Sequence, residues 1–370
     1  MEPMSIRRYN YRLRPGAVAT QALIEEWHRT RFLWNRAVAT LDEEGRWLTD
    51  ADITALRAEL DWFGQGSVVV QQQELRNFKT KRGHRRKFKV ARKTHPSLQY
   101  TKRGFSISDG RLRLAKMPPI PVVWSRELPS EPSSVRVFRE PDGHWYVSFV
   151  VEVEDVALPE HEAGIGIDWG VKTLATTTDA AFDLAHPNSG MSEVKRQQRK
   201  LSRRERGSRA WRATRKALAR EHRRVARRRT DTAHKWSKSV VEHHGTIGVE
   251  DFRPKFLAKS TMARKAADAA ISATKTILVT RAAQAGRKVV LVPPAYTTMT
   301  CSACHSKAKS RLPLDVRIFR CECCGYTDDR DRNAARVILV RAGFNPAGVD
   351  DVRLDHLRVA EQSESGIPRL

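Results

Sequence analysis

The chain has 370 residues, of which 40% are apolar, and it carries a formal net charge of +26. This length predicts two or three domains, and the apolar fraction is sufficient for a packed core. The charge indicates a polyanionic partner, most commonly nucleic acid; an anionic membrane is the rival, but the sequence has no apolar run long enough to span a bilayer. The first residues also lack the apolar segment of a signal peptide.

The amino-terminal half alternates between strand-like and helical patterns. Residues 7–14 are predicted to form a strand, and helical spacing of apolar residues follows over 20–60. Period-two alternation returns over 98–154, with hairpin turns predicted at Asp-Gly 109–110 and Pro-Asp-Gly 141–143. We therefore predict a small β-barrel that is interrupted by a helical block.

A basic stretch precedes the predicted barrel strands. Residues 76–93 contain ten Lys or Arg and no acidic residue. A solvated basic helix is one interpretation, but Phe78 and Phe88 interleave with the charges, which favours contact with nucleic acid. The candidate contacts here are Arg76, Lys79, Lys81, Arg82, Arg85, Arg86 and Lys87.

A second basic stretch is longer. Residues 192–238 contain 19 Lys or Arg and 4 Asp or Glu, a net charge of +15. A disordered basic arm is one alternative, but the spacing of Leu201, Trp211 and Leu218 favours helices with one packed face. The candidate contacts here are Arg203, Arg204, Arg212, Arg223, Arg224, Arg227 and Arg228.

Two acidic residues end short apolar strands in the second half. Asp168 ends the first strand of a pair predicted over 164–179, and Glu250 ends a strand over 246–250. Because strand side chains alternate, each acid shares a face with a glycine two positions earlier, Gly166 or Gly248. We expect these glycines to leave room for a nucleic-acid backbone.

Asp331 begins a helix predicted over 331–342, after a helix over 261–285 and a strand over 287–292. Taken singly, Asp331 could be an N-cap, and Asp168 and Glu250 could be ordinary acids in turns. Three acids on two strands and a helix instead favour a site for two Mg²⁺ or Mn²⁺ ions, which prefer oxygen ligands.

Four of the five cysteines form two Cys-x-x-Cys pairs separated by sixteen residues. This spacing predicts one structural, tetrahedral Zn²⁺ site at Cys301, Cys304, Cys321 and Cys324. Cys323 or His305 could replace one ligand. The pairing favours a reducing compartment and a metal over disulfides.

These motifs resemble the TnpB family, the transposon-encoded relatives of the type V CRISPR effectors. The resemblance covers about residues 164–342, and the amino-terminal half fits in outline. It is carried by Gly166-Ile167-Asp168-x-Gly170 with Lys172, Gly248-Val249-Glu250-Asp251, the cysteine pairs with Gly325, and Asp329-Arg330-Asp331-x-Asn333-Ala334-Ala335. One departure is His305, where the family often has glycine, and a second is the lack of aromatic residues in the helix over 261–285.

The resemblance implies an α/β and α+β multidomain chain with an RNase H-like (RuvC) nuclease domain and an inserted zinc ribbon. The implied parts are a β-barrel wedge domain (1–16 and 96–158), a helical recognition domain (17–95), the nuclease domain (159–295 and 327–345), the ribbon (296–326) and a disordered tail (346–370). Asp168, Glu250 and Asp331 would be the catalytic acids, with Asp329 as the near alternative to Asp331.

The activity that the resemblance implies is RNA-guided cleavage of double-stranded DNA beside a short adjacent motif. The guide RNA would come from the transposon end. A monomer is favoured, located in a prokaryotic cytoplasm and associated with the nucleoid when bound to DNA. Two alternatives stay open: a nuclease-silent RNA-guided repressor and a guide-free transposon nuclease.

Overall fold

The computed structural model describes residues 4–80, 86–170, 173–186, 191–251, 271–310, 312–313 and 316–344. The helices are α1 (Ala17–Glu44), α2 (Asp50–Glu59), α3 (Asp61–Gly64), α4 (Val68–Thr80), α5 (Met191–Ser202), α6 (Arg209–His243), α7 (Ile271–Gln284) and α8 (Arg330–Arg341). The strands are β1 (Met4–Leu13), β2 (Ser97–Thr101), β3 (Phe105–Ser108), β4 (Arg111–Leu114), β5 (Ile120–Val123), β6 (Ser134–Arg139), β7 (Trp145–Glu154), β8 (Gly164–Trp169), β9 (Thr173–Thr177), β10 (Leu184–Ala185), β11 (Thr246–Glu250), β12 (Lys288–Val292), β13 (Ile318–Arg320) and β14 (Thr327–Asp329).

The chain divides into two compact units. The first unit comprises residues 1–155 and 190–224, and the second comprises 156–189 and 225–370. The predicted tail and the first part of the predicted helix over 261–285 lie outside the described residues. No helix of the described ranges is long and apolar enough to cross a membrane.

The first unit contains an antiparallel sheet with the strand order β2-β6-β7-β1-β5-β4-β3. Strand β1 pairs along its whole length with β7, from Met4 opposite Glu154 to Leu13 opposite Trp145. The helices α1 to α4 are therefore an insertion between β1 and β2, as the sequence predicted. Strands from both ends of this order pack into one core, and closure of the sheet into a barrel stays a prediction.

The inserted helices form a second apolar core. It contains large side chains from α1, α3 and α4, among them Trp34, Phe63 and Phe78. Helix α2 begins with a capping box in which Thr49 and Asp52 satisfy each other's backbone N–H groups. The helical spacing read over 20–60 thus corresponds to helices that bury one face.

The second unit contains a mixed five-stranded sheet with the order β10-β9-β8-β11-β12. Strands β8, β11 and β12 are parallel, whereas β9 runs antiparallel to β8. Ile165 and Ile167 of β8 pack with side chains of α6 and α7 on one face of the sheet. Helix α8 packs on the opposite face, against Gly166 and Gly248. Both faces are covered, which explains why β8 and β11 are buried along most of their length.

Candidate active site and cysteine cluster

Asp168 and Glu250 lie side by side at the carboxyl ends of two neighbouring parallel strands. Ile167 of β8 pairs with Val249 of β11, so the acid that follows each residue reaches the same edge of the sheet. Both acids are only 6% exposed. They are close enough for each carboxyl group to shift the pKa of the other. The structure therefore brings together two of the three acids that the sequence singled out.

Asp331 lies in the first turn of α8 and is close enough for its charge to raise the pKa of Asp168. The N-cap of this helix is Asp329, whose Oδ1 accepts hydrogen bonds from the N–H groups of Asp331 and Arg332 at 2.9 and 3.1 Å. The interpretation of Asp331 as the N-cap is therefore wrong. The cap is two residues earlier, which leaves the Asp331 carboxylate available for other contacts.

The electrostatics of the buried acids favour a bound cation. Burial raises the pKa of Asp168 well above its usual range, and the charges of Glu250 and Asp331 raise it further. Burial also raises the pKa of Glu250 to about 7, against the opposing hydrogen bond with Trp169. Ionising both carboxyl groups without a counter-charge is therefore unfavourable. A hard divalent cation would supply the missing positive charge, so the donor set fits such an ion.

The third acid is held by two arginines. Oδ2 of Asp331 lies 3.2 Å from Nη1 of Arg317, and Oδ1 lies 3.4 Å from Nε of Arg330. Within the described ranges, the three acids do not form the tight ligand group that the four cysteines form. Asp331 would have to loosen these ion pairs in order to bind a cation together with Asp168 and Glu250.

The two glycines next to the acids have a different role from the one predicted. A Cβ atom on Gly166 would lie 1.9 Å from the carbonyl oxygen of Ala335, and one on Gly248 would lie 2.9 Å from Cβ of Ala342. The expectation that they leave room for a nucleic-acid backbone is wrong, because helix α8 occupies that space. Their small size instead allows α8, and with it Asp331, to approach the sheet.

The four predicted zinc ligands converge. The sulfur atoms of Cys301, Cys304, Cys321 and Cys324 all lie within 4.8 Å of one another, so this cluster could bind zinc. Cys323 and His305 are not members of it. A hydrogen bond with Ser306 lowers the pKa of Cys321 to about 6, whereas burial raises that of Cys301 to about 12.

The two halves of the cysteine cluster repeat one backbone pattern. The N–H of Cys301 donates to the carbonyl of Ser306, and the N–H of Cys321 donates to that of Tyr326, in each case five residues on. His305 and Gly325 both follow a second cysteine, with φ angles of 59° and 73°. His305 thus fills a left-handed position that suits glycine, which gives it a turn role instead of a ligand role.

Asn333 joins the cysteine segment to α8, a role that the sequence analysis missed. Its Oδ1 accepts a hydrogen bond from the N–H of Ser302 at 2.9 Å, and its Nδ2 donates to the carbonyl of Thr300 at 2.8 Å. The side chain is fully buried. An asparagine among the alanines of a helix was a detectable signal, because asparagine is a poor helix former unless its amide is used.

The basic candidates in and after α4 differ in their surroundings. Arg76, Lys79 and Lys87 are exposed. Arg86 instead stacks on Trp47, 4.5 Å from the ring centroid, and donates to the carbonyl of Phe78 at 2.9 Å. Phe78 is in the core and so is not available to stack on a base, whereas Phe88 is 55% exposed; contact of this stretch with nucleic acid stays a prediction. Lys81, Arg82 and Arg85 lie outside the described residues.

The candidates in the second basic stretch also separate into two kinds. Arg223 forms an ion pair with Asp142, which is 1% exposed, and donates to the hydroxyl of Tyr146 at 2.8 Å. This arginine therefore packs inward. The exposed candidates are Arg203, Arg204, Arg212, Arg224, Arg227 and Arg228.

Comparison with known proteins places these features in context. The family profile described as "Probable transposase" matches residues 148–261, and the profile described as "Cas12f1-like, TNB domain" matches residues 272–338. A Streptomyces pristinaespiralis protein named "Putative RNA-guided DNA endonuclease" is 31% identical, covering 98% of each chain. A similarly named Escherichia coli protein, InsQ, is 28% identical over 90% of this chain and 92% of its own. A solved structure titled "Cryo-EM structure of the Cas12f1-sgRNA-target DNA complex" covers 87% of this chain and 81% of that chain, with a TM-score of 0.46 and 14% identity.

Proposed function

The chain belongs to the TnpB family, and we propose that it is an RNA-guided, metal-dependent DNA endonuclease of a transposable element. One observation carries the proposal: Asp168 and Glu250 are buried side by side at neighbouring strand ends, with Asp331 near enough to raise the pKa of Asp168. Adjacent buried carboxylates destabilise a fold unless a proton or cation separates their charges, so such a pair marks a candidate functional site. The names of the full-length relatives support the same activity.

The proposed nuclease domain is RuvC-like and comprises residues 159–295 and 327–345, with the zinc ribbon at 296–326. Three features support it: the strand order of the mixed sheet, acids at the ends of β8 and β11, and a third acid on α8. The seven-stranded sheet would be the wedge domain, and α1 to α4 would be the recognition domain.

Asp168, Glu250 and Asp331 would hold two Mg²⁺ or Mn²⁺ ions. When bound, such ions lower the pKa of water and stabilise negative charge on a phosphodiester. The protein contributes burial that keeps Asp168 and Glu250 away from bulk water. In the absence of a cation, the ion pairs with Arg317 and Arg330 keep the Asp331 carboxylate ordered. The cysteine cluster would hold one structural zinc that fixes the segment carrying Arg317.

Sequence specificity would come from base pairing between a guide RNA and one DNA strand, with the heteroduplex held through its backbone. The exposed arginines and lysines of α4 and α6 would contribute phosphate contacts, which make affinity fall with salt. The DNA would carry a short adjacent motif beside the target.

The experiment begins with the RNA that co-purifies with the chain. That RNA is sequenced and reprogrammed, and a plasmid library with randomised flanks is then digested with Mg²⁺ or with chelator. We expect Asp168→Ala to bind the target without cutting it. Asp109→Asn is the matched control, because Asp109 lies in an exposed turn with its side chain 80% exposed. Cutting by Asp168→Ala at the wild-type rate would refute the assignment of the site.

The same experiment separates the two alternatives. A wild-type protein that binds the programmed target without cutting it in Mg²⁺ or Mn²⁺ would be a guided repressor. An RNA-free preparation that cuts DNA would be a guide-free nuclease.

A further inference from the structure

A cleft of about 260 Å³ lies in the first unit, where β1 ends and α1 begins. Arg12, Arg14, Arg139 and His144 line it. Among the described residues that line this cleft none is acidic. A small cleft with this one-sided charge is suited to an anion.

The sheet brings the backbones of the three arginines to one end of its strands. Arg12 and Arg14 flank the buried Leu13, so both project away from the core. Leu13 pairs with Trp145 of β7, and Trp145 pairs in turn with Arg139 of β6, which brings Arg139 to the same end of the sheet. Strand register thus places the three residues at one sheet end, and all three line the cleft there.

These arginines have no carboxylate partner among the described residues. Nη2 of Arg12 lies 3.1 Å from Nδ1 of His144, and Nε of Arg139 donates to the carbonyl of Gly143 at 3.2 Å. The nearby carboxylate of Asp142 is already paired with Arg223. The same carboxylate lies 3.8 Å from Nε2 of His144, so the charge that is not neutralised among the described residues is that of the three arginines.

Two further groups favour an anion at this place. Helix α1 has 28 residues, and its N-cap, Gly16, makes no side-chain cap hydrogen bond. Its first turn also has no acidic residue, so the positive end of a long helix dipole adds to the arginines. The indole Nε1 of Trp145, another lining residue, is buried without a hydrogen-bond partner in the described ranges.

We propose that this cleft binds one phosphate group of a nucleic-acid backbone. Arginine forks match the geometry of phosphate oxygens, and the cleft has room for the phosphodiester with part of its sugar. Only the choice of nucleic acid as the source of the phosphate rests on the proposed function. The backbone could belong to RNA or to DNA, because the two share this chemistry.

The first test uses inorganic phosphate and does not depend on nuclease activity. The thermal unfolding of nucleic-acid-free protein is measured in phosphate and in chloride at equal ionic strength, because a ligand of the folded state raises the midpoint. We expect phosphate to stabilise the wild type and the control Arg136→Gln, an exposed arginine of the same sheet. The double variant Arg14→Gln/Arg139→Gln should lose that stabilisation while keeping its circular dichroism spectrum.

The second test identifies the source of the phosphate. Single-stranded RNA and DNA of one 12-nucleotide sequence are titrated against the same three proteins by fluorescence anisotropy at several salt concentrations. A plot of log K against log salt has a negative slope, and loss of one phosphate contact should make that slope shallower by about 0.7. If the double variant has a shallower slope than the wild type for RNA alone, the phosphate belongs to a guide backbone. If the slope is shallower for DNA alone, the phosphate belongs to a target backbone. Unchanged slopes for both, or phosphate stabilisation that survives in the double variant, would overturn the proposal.

Discussion

The carbonyl oxygen of Ala335 lies 1.9 Å from the point that a Cβ atom on Gly166 would occupy. This contact joins the helix that carries Asp331 to the strand that carries Asp168. Real Cβ atoms essentially never come so close to another atom, and the obstacle is backbone, so it cannot rotate away. The geometry of the three acids therefore depends on a missing methyl group.

We expect Gly166→Ala to displace α8 from the sheet, to abolish DNA cleavage, and to destabilise the second unit by about 1–3 kcal/mol, as overpacking typically does. Thermal unfolding and plasmid cleavage measure the two effects. Ser272→Ala, at an exposed position of α7 in the same unit, is the control. A fully active Gly166→Ala protein would contradict the proposed dependence on close packing.

Replacing Glu250 by glutamine should remove activity yet stabilise the protein in buffer without divalent cations. The pKa of Glu250 is raised from 4.5 to about 7, so the folded state binds more protons than the unfolded state between these values. The free energy of unfolding of the wild type therefore falls as pH rises through this window, whereas that of the variant does not, because glutamine has no proton to lose. The difference should be near zero below pH 4.5 and grow to about 3 kcal/mol above pH 7.

Unfolding by denaturant at a series of pH values measures this difference. Asp109→Asn serves again as the control, since it changes an exposed carboxylate. A stability difference that is independent of pH would show that the glutamine acts through packing and not through the titration of Glu250.

Zinc content should distinguish the clustered cysteines from the fifth one. We expect Cys304→Ser to lose the metal, because the four clustered sulfurs complete a tetrahedral site and serine is a poor zinc ligand. Cys323→Ser should retain about one zinc per chain, since Cys323 is exposed and lies outside the cluster. Elemental analysis of the purified proteins gives the ratio, and a zinc-free Cys323→Ser protein would reassign the ligands.

Removing the side-chain amide of Asn333 should loosen the cysteine segment from α8. Asn333→Ala leaves the part-buried N–H of Ser302 and the buried carbonyl of Thr300 without their partner, at a cost of about 1–3 kcal/mol. Hydrogen exchange of residues 300–306 should accelerate, and cleavage should fall because the helix that carries Asp331 loses this anchor to the cysteine segment. Asn10→Ala, at an exposed position of β1, is the control. Unchanged exchange in the cysteine segment would remove Asn333 from this role.

The order of strands and helices was predictable because their signals are local. Alternation of apolar residues indicated β1, the two hairpins, β8 and β11, and the cysteine spacing identified the four sulfurs that converge. The strand-end positions of Asp168 and Glu250 could also be read from period two. The strand and helix patterns are produced by neighbours within a few residues, and the four cysteines lie in one continuous segment, so no knowledge of distant partners was required.

What covers each element depended on residues far away in the chain. Gly166 indicated a close approach, but only the tertiary structure showed that the approaching group is Ala335 and not a ligand. In the sequence, Arg223 cannot be distinguished from the exposed arginines next to it, yet it forms an ion pair with Asp142, in a hairpin about eighty residues earlier. Composition and periodicity determine which residues can bury or carry charge. Only long-range packing decides which partner each one meets, because that choice depends on the whole fold.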